Sequence, residues 1–264
     1  MDSLFNQKML RNRQYKTPNN LQARMEIHRR FSQNPFPWFQ WEFDALAIQP
    51  GETVIDLGCG PGALWAFARE QMPENTRISL CDLSVGMVGA AASALSGSSQ
   101  FSFVVGDAQF IPLGDQSCDL VTANHMLYHV PEIPRAIHEI QRVLKKGGRL
   151  VAATNGSKHM LELYNLIRKV VPGYIPVNDS ALRFGLETGP NVLRPFFDAV
   201  EVKLFEDNLW ITEAAPLAAY IHSMWGFADT EENLKAKFFD LIEAEIQARG
   251  GFFIQKSAGI LIAR

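Results

Sequence analysis

The sequence predicts an α/β fold built on a doubly wound, mostly parallel sheet of seven strands, with a helical N-terminal arm and cap insertions. Two observations carry this expectation. From Thr53 onward, short apolar runs alternate with segments of helical period. The runs are also nearly unbroken, as strands buried on both faces are.

The bulk numbers set the bounds. A chain of 264 residues holds one sizeable α/β domain with insertions, or one domain plus a small cap. Its 47% hydrophobic and 20% charged residues are those of an ordinary globular protein. A formal net charge of −3 gives no electrostatic reason to expect a nucleic-acid partner. Arg24, Arg29 and Arg30, spaced along one predicted helix, read as a solvated face. Cys59, Cys81 and Cys118 are too few and too irregularly spaced for a disulfide framework or a zinc site, and suggest a reducing compartment. The first residues lack the apolar core of a secretory signal, and no apolar run approaches a membrane span. The expectation is a cytoplasmic protein with no membrane span, its oligomeric state left open by the sequence.

The elements follow in order. Residues 1–37 form a helical arm or lid, with Leu21, Met25, His28 and Phe31 at three- and four-residue steps. Pro35 and Pro37 break the helix beside Phe36, Trp38, Phe39 and Trp41, which staple the arm to the domain or wall a substrate pocket. Residues 38–155 form the ligand-binding core. Its expected strands are 53–57, 77–81, 101–105, 118–123 and 149–154, and its expected helices 63–71, 85–95 and 133–144. Residues 156–264 supply cap helices and the closing strands 200–205 and 257–263. Such a sheet binds its ligand at the carboxyl ends of the strands, where the strand order reverses.

The strongest local signal is Val54-Ile55-Asp56-Leu57-Gly58-Cys59-Gly60-Pro61-Gly62. A buried strand ends in an acid, and glycines at alternate positions let the backbone turn sharply and approach a ligand. The helix that follows points free N–H groups at the bound molecule. The spacing is G-x-G-x-G, whereas the dinucleotide fingerprint needs G-x-G-x-x-G. The complete run resembles the first motif of the class I S-adenosylmethionine-dependent methyltransferases. That resemblance implies S-adenosyl-L-methionine as cofactor and S-adenosyl-L-homocysteine as product. Asp56, Gly58, Gly60 and Gly62 would surround the methionine part, with Cys59 in the same turn.

Asp82 ends the second strand, twenty residues beyond Gly62. A carboxylate there can accept hydrogen bonds from two vicinal ribose hydroxyls, and the neighbouring Ser84 suits the helix N-cap better. Asp107 ends the third strand, placed to accept from the adenine amine, with Gln109-Phe110-Ile111-Pro112-Leu113 as an apolar ring wall. The stretch around Gly106-Asp107-Ala108 and Cys118-Asp119-Leu120-Val121 is similar to the small-molecule methyltransferases related to the ubiquinone/menaquinone C-methyltransferases. By that likeness Asp107 and Ala108 face adenine, and Leu83 and Met87 pack on its faces. The likeness spans about residues 40–155. It continues through Asn124, a further candidate cofactor contact, and through Gly147-Gly148, expected to terminate a helix. Trp65 departs from the family pattern, and either narrows the cofactor mouth or packs the helix.

Methyl transfer from a sulfonium needs an aligned nucleophile about 3 Å from the methyl group and exclusion of water. A base is required only if the nucleophile loses a proton. His125 and His129 are the candidate catalytic residues, each with an alternative structural role. They sit at i,i+4 but lack a third ligand, so no metal is expected. Tyr15, Trp38 and Tyr128 are candidate substrate contacts, and the rest of the Trp38–Trp41 cluster, the segment 159–184 and the cap containing Trp210, His222 and Trp225 are further candidates for selecting the substrate. An aromatic-rich pocket suits a small, apolar or aromatic methyl acceptor. The competing readings are a noncatalytic module that binds the same cofactor, and an NAD-dependent oxidoreductase.

Overall fold

The structure is a computed structural model that describes residues 19–174, 180–224 and 232–264. Its strands are β1 (Thr53–Leu57), β2 (Arg77–Asp82), β3 (Phe101–Val105), β4 (Cys118–Thr122), β5 (Leu144–Asn155), β6 (Val200–Phe205), β7 (Asn208–Ile211), β8 (Phe252–Gln255) and β9 (Ala258–Ala263). Its helices are α1 (Asn19–Phe31), α2 (Trp38–Leu46), α3 (Ala63–Ala68), α4 (Val85–Ala94), α5 (Ile133–Val143), α6 (Leu161–Val170), α7 (Ser180–Phe184), α8 (Gly189–Leu193), α9 (Ala214–Ser223) and α10 (Glu232–Arg249).

Seven strands form one sheet in the order β3-β2-β1-β4-β5-β9-β6. β1 to β5 pair in parallel, and β9 runs against both of its neighbours. The doubly wound, mostly parallel sheet is therefore the one the apolar runs predict. Strand order reverses at β1, which has β2 on one side and β4 on the other, so a crevice opens over their carboxyl ends.

Alternation along β1 sends Ile55 and Leu57 into one face and Val54 into the other. The first face is covered by α5, whose Ala136, Ile137, Ile140 and Val143 are fully buried. Each such isoleucine contributes about 2 kcal/mol by leaving water. On the second face Leu46, Trp65 and Ala91 come from α2, α3 and α4. Arg149 ties α2 to the sheet, donating to the Leu46 carbonyl at 2.7 Å and pairing with Glu52 at 2.8 Å. A third core joins α1, α6, α9 and α10 to the antiparallel β7–β8 pair through Ile27, Leu163, Leu217, Phe238 and Ile254.

Three details differ from the sequence expectation. α5 stops at Val143, and Gly147-Gly148 lies inside β5, where the register against β4 shifts between Cys118 and Leu120. Gly147 takes φ +80°, and a side chain at Gly148 would sit 3.0 Å from the Asp119 carbonyl oxygen. The β7–β8 pair is unanticipated, because four-residue strands show too little alternation to read. Trp210 lies on β7 and covers Gly251, away from the cavity. Among the described residues no helix is long and apolar enough to cross a membrane.

Candidate functional site

A cavity of about 1300 Å³ opens over the carboxyl ends of the central strands. Asp56, Gly58, Cys59, Gly60, Asp82, Leu83, Met87, Asp107, Ala108 and Asn124 all line it, as do Trp38, His125, Tyr128 and His129. Gly62 does not. It starts α3 in the left-handed region with φ +73°, its Cα turned toward Ala91, Leu95 and Leu80, so its part in the turn is to let the helix pack. Tyr15 and Trp225 lie outside the described residues.

Asp56 is buried, and both of its oxygens are held. Thr122 donates to Oδ1 at 2.6 Å and the Trp65 indole to Oδ2 at 2.7 Å. Burial pushes its carboxyl up to about 6, against the pull of those two donors. Trp65 is completely buried in α3 and does not reach the cavity mouth. Gly58 and Gly60 carry the chain over the sheet with φ +66° and +54°. A methyl group on Gly58 would sit 2.6 Å from the Met126 Cβ.

Asp82 accepts the Gly60 N–H at 2.9 Å on one oxygen and the Ser84 N–H at 2.8 Å on the other. Ser84 caps α4 by accepting the Met87 N–H, so the cap falls to the serine and the carboxylate to the cavity. Asp107 is gripped by Gln109, which gives its backbone N–H at 2.9 Å and its side-chain amide at 3.0 Å. The Gln109 amide oxygen in turn accepts the Glu132 N–H at the start of α5. The expected apolar wall after Ala108 is not formed. Phe110 lies exposed beneath Arg135, 3.7 Å from its ring centroid, and Ile111 enters the core.

Cys59 faces the cavity with its thiol pushed up by burial, a weak nucleophile at neutral pH. His125 sits at φ +53° with its ring 5.7 Å from Trp38. Burial, with Lys256 nearby, depresses it to about 4. His129 packs edge-on to Tyr128 at 4.5 Å and is depressed to about 3 by burial and by Arg24 and Arg183. Both imidazoles are thus neutral at pH 7.

Several wall residues carried no sequence signal for a site. Glu42 is buried on α2, with burial and the nearby Asp56 raising it to about 8. His28 and Lys256 reach the same cavity from α1 and the turn before β9, and His159, from the loop after β5, joins them out of the segment 159–184 expected to select the substrate. Arg24 leaves the solvated face expected for it and lines the cavity, as do Arg29 and Glu26, which pair with each other at 2.8 Å, whereas Arg30 does not line it. The Trp38 cluster is both staple and wall, since Trp38 lines the cavity while Trp41 packs on Phe205. Phe184, Trp210 and His222 are not cavity residues. Among the described residues no group of three or more His, Cys, Asp or Glu could hold a metal ion.

Residues 55–152 match the family model described as a methyltransferase domain. Over 138 residues the chain is 35% identical to the malonyl-[acyl-carrier protein] O-methyltransferase of Methylococcus capsulatus, covering 52% of this chain and 50% of that protein. Over 117 residues it is 38% identical to the demethylmenaquinone methyltransferase of Thermobifida fusca, covering 43% of this chain and 48% of that one. The chain spans about half the length of the curated relatives it matches. In fold it is similar to Haemonchus contortus phosphoethanolamine N-methyltransferase 2 solved with S-adenosyl-L-methionine, with a TM-score of 0.61 at 16% identity, over 100% of this chain and 60% of that one. The matched segment, similar to a methyltransferase domain, holds the glycine turn and all three strand-end aspartates.

Proposed function

We propose that this protein transfers a methyl group from S-adenosyl-L-methionine to a small-molecule acceptor. One observation carries the reading. Asp56, Asp82 and Asp107, from the ends of three neighbouring parallel strands, open with the glycine turn into a single cavity. Its volume of about 1300 Å³ exceeds the ~300–1000 Å³ that one small ligand occupies, which leaves room for cofactor and acceptor together.

The residues present fit that cofactor. Each Asp82 oxygen is oriented by one backbone N–H and keeps a lone pair for one of two vicinal hydroxyls. Asp107, held in place by Gln109, suits the adenine amine, and Leu83, Met87 and Ala108 suit its ring. Gly58 and Gly60 leave the backbone bare where the methionine part would lie, beside Asp56 and Cys59. Asn124 also lines the cavity.

The bound cofactor supplies a methyl group on a sulfonium, which leaves as a neutral thioether. The protein's work is therefore alignment and exclusion of water. Leu21, Arg24 and Met25 of α1 wall the cavity, and Leu21 lies 3.5 Å from where a Gly60 side chain would begin. The arm thus covers the glycine turn. His125 and His129 are neutral, so they orient an acceptor by hydrogen bonds and are poor proton stores. A small acceptor also agrees with the name of the Thermobifida relative, a demethylmenaquinone methyltransferase.

Calorimetry with S-adenosyl-L-homocysteine tests the reading. Micromolar binding is expected, weakened tenfold or more by Asp82→Ala and by Asp107→Ala. Undiminished affinity in both variants would overturn the site assignment. Binding without S-adenosyl-L-homocysteine release from S-adenosyl-L-methionine across a metabolite panel would favour the noncatalytic module.

A further inference from the structure

Away from the aspartates the cavity wall changes character. His28, His125, His159 and Lys256 converge there from four separate elements. The His28 and His159 rings stack with centroids 6.2 Å apart, and Tyr220 meets His28 edge-on at 6.3 Å. The Nδ1 atoms of His28 and His125 are buried and have no hydrogen-bond partner among the described residues. A buried polar atom left in that state costs about 1–3 kcal/mol, so two on one wall point to a bound group that completes them. His159 adds a donor of fixed identity. Its Nδ1 accepts the Ser257 N–H at 3.2 Å, so the neutral ring carries its proton on Nε2.

The charge at this end is cationic. Arg24 donates to the hydroxyl and carbonyl oxygens of Ser223, both uncharged. The nearby carboxylates are committed elsewhere. Asp207 accepts from Lys256, from Ser32 and from the backbone of Gln33, Asn34 and Asn208. Glu26 is held by Arg29, and Glu42 lies toward Asp56. A cationic amine would find no uncommitted carboxylate here, whereas an anion would meet Arg24 and imidazole N–H donors.

Resting on the methyltransferase reading above, we propose that this end of the cavity binds a carboxylate of the acceptor, and that the product is its methyl ester. A carboxylate oxygen attacks the methyl carbon as the carbon–sulfur bond breaks. The new bond is O–CH₃, and the electron pair of the broken bond returns to sulfur. The acceptor enters ionised, so no proton is transferred, and a cation and an anion give two neutral products. Imidazoles that are neutral serve this step as hydrogen-bond donors, with no general base required. Trp38, Tyr164 and Met224 offer the acceptor's body an aromatic and apolar wall.

Three isosteric probes test the proposal on the full chain, with and without S-adenosyl-L-homocysteine: 2-naphthoate, 2-naphthamide and 2-naphthylmethylamine. Quenching of tryptophan fluorescence gives the affinities, and calorimetry repeats them. The carboxylate is expected to bind at least tenfold tighter than the amide, and the amine weakest. Arg24→Gln and His28→Phe should each reduce the carboxylate-to-amide ratio fivefold or more, with S-adenosyl-L-homocysteine affinity within twofold of the parent. Tighter binding of the amide or amine, no binding of any probe at millimolar concentration, or a ratio untouched in both variants would overturn the carboxylate site. Loss of S-adenosyl-L-homocysteine binding by the parent chain, with the carboxylate preference intact, would overturn the cofactor reading and leave this site standing.

Discussion

Trp65 donates its indole N–H to Asp56 from inside the core, 2.7 Å away and nine residues along the chain. The side chain that departs from the family pattern therefore fixes the acid that belongs to it. Trp65→Phe keeps most of the apolar volume and removes the donor, leaving a buried carboxylate oxygen unsatisfied. The expected cost is about 2–3 kcal/mol of folding free energy. Thr122→Val removes the 2.6 Å bond to the other oxygen and should cost a similar amount. The two losses should not add, because they share one acceptor. Urea denaturation of both single variants and the double variant measures this, and strict additivity would show that Asp56 does not couple the two donors.

Glu42 couples the cavity to pH. Its folded carboxyl is raised from 4.5 to about 8, first by burial and then by Asp56. The folded chain therefore holds a proton that the unfolded chain releases, and this group's share of stability falls as pH climbs from about 4.5 to 8. Glu42→Gln should remove that slope, stabilising the protein at pH 8 and leaving it nearly unchanged at pH 4. A cation entering beside Glu42 also favours the ionised form, so S-adenosyl-L-methionine binding at pH 7 should release a proton. Calorimetry in buffers of different ionisation enthalpy reads the release, which should vanish in Glu42→Gln.

The glycines of the turn separate strain from crowding. Gly60→Ala faces only φ +54° and a Leu21 methyl at 3.5 Å, an ordinary contact. Gly58→Ala faces φ +66° and the Met126 Cβ at 2.6 Å. The left-handed conformation costs about 1–2 kcal/mol in either variant. The clash should add roughly 1–3 kcal/mol to Gly58→Ala alone. Thermal unfolding should rank Gly58→Ala well below Gly60→Ala, and equal shifts would show that the loop yields freely at Met126.

The aspartate-lined end of the cavity was legible because it is local in sequence. Asp56, Gly58 and Gly60 lie within one strand and its turn, and Asp82 and Asp107 are found by following the next two strands to their ends. The opposite end is not local. His28 and Lys256 meet His159 only through tertiary packing, and each of the two has the sequence surroundings of an ordinary helix or loop residue. Arg24 shows the limit most plainly. Helical spacing groups it with Arg29 and Arg30, but its contact with Ser223 on α9 turns it inward. Gly62 shows the reverse case, a motif position that does not line the cavity and whose bare Cα lets α3 pack against α4.

The cavity histidines should dominate acid unfolding. His28, His125 and His129 are lowered to about 3, 4 and 3, each chiefly by burial. The charges that reinforce this are Lys256 for His28 and His125, and Arg24 and Arg183 for His129. In the unfolded chain each imidazole regains a pKa near 6.5, so below that pH the unfolded state binds more protons. Their stabilising share is present above pH 6.5 and is lost as pH falls toward 4 and 3. Melting temperature should therefore drop between pH 6 and 4, against the opposing share of Glu42, which gains stability as pH falls from 8 to 4.5. His159 is lowered as well, so His28→Phe removes one of several protons taken up and should flatten that slope, without lowering stability at pH 5 by as much as at pH 8. A parent slope that survives unchanged in His28→Phe and His125→Phe would assign acid unfolding to groups outside the cavity.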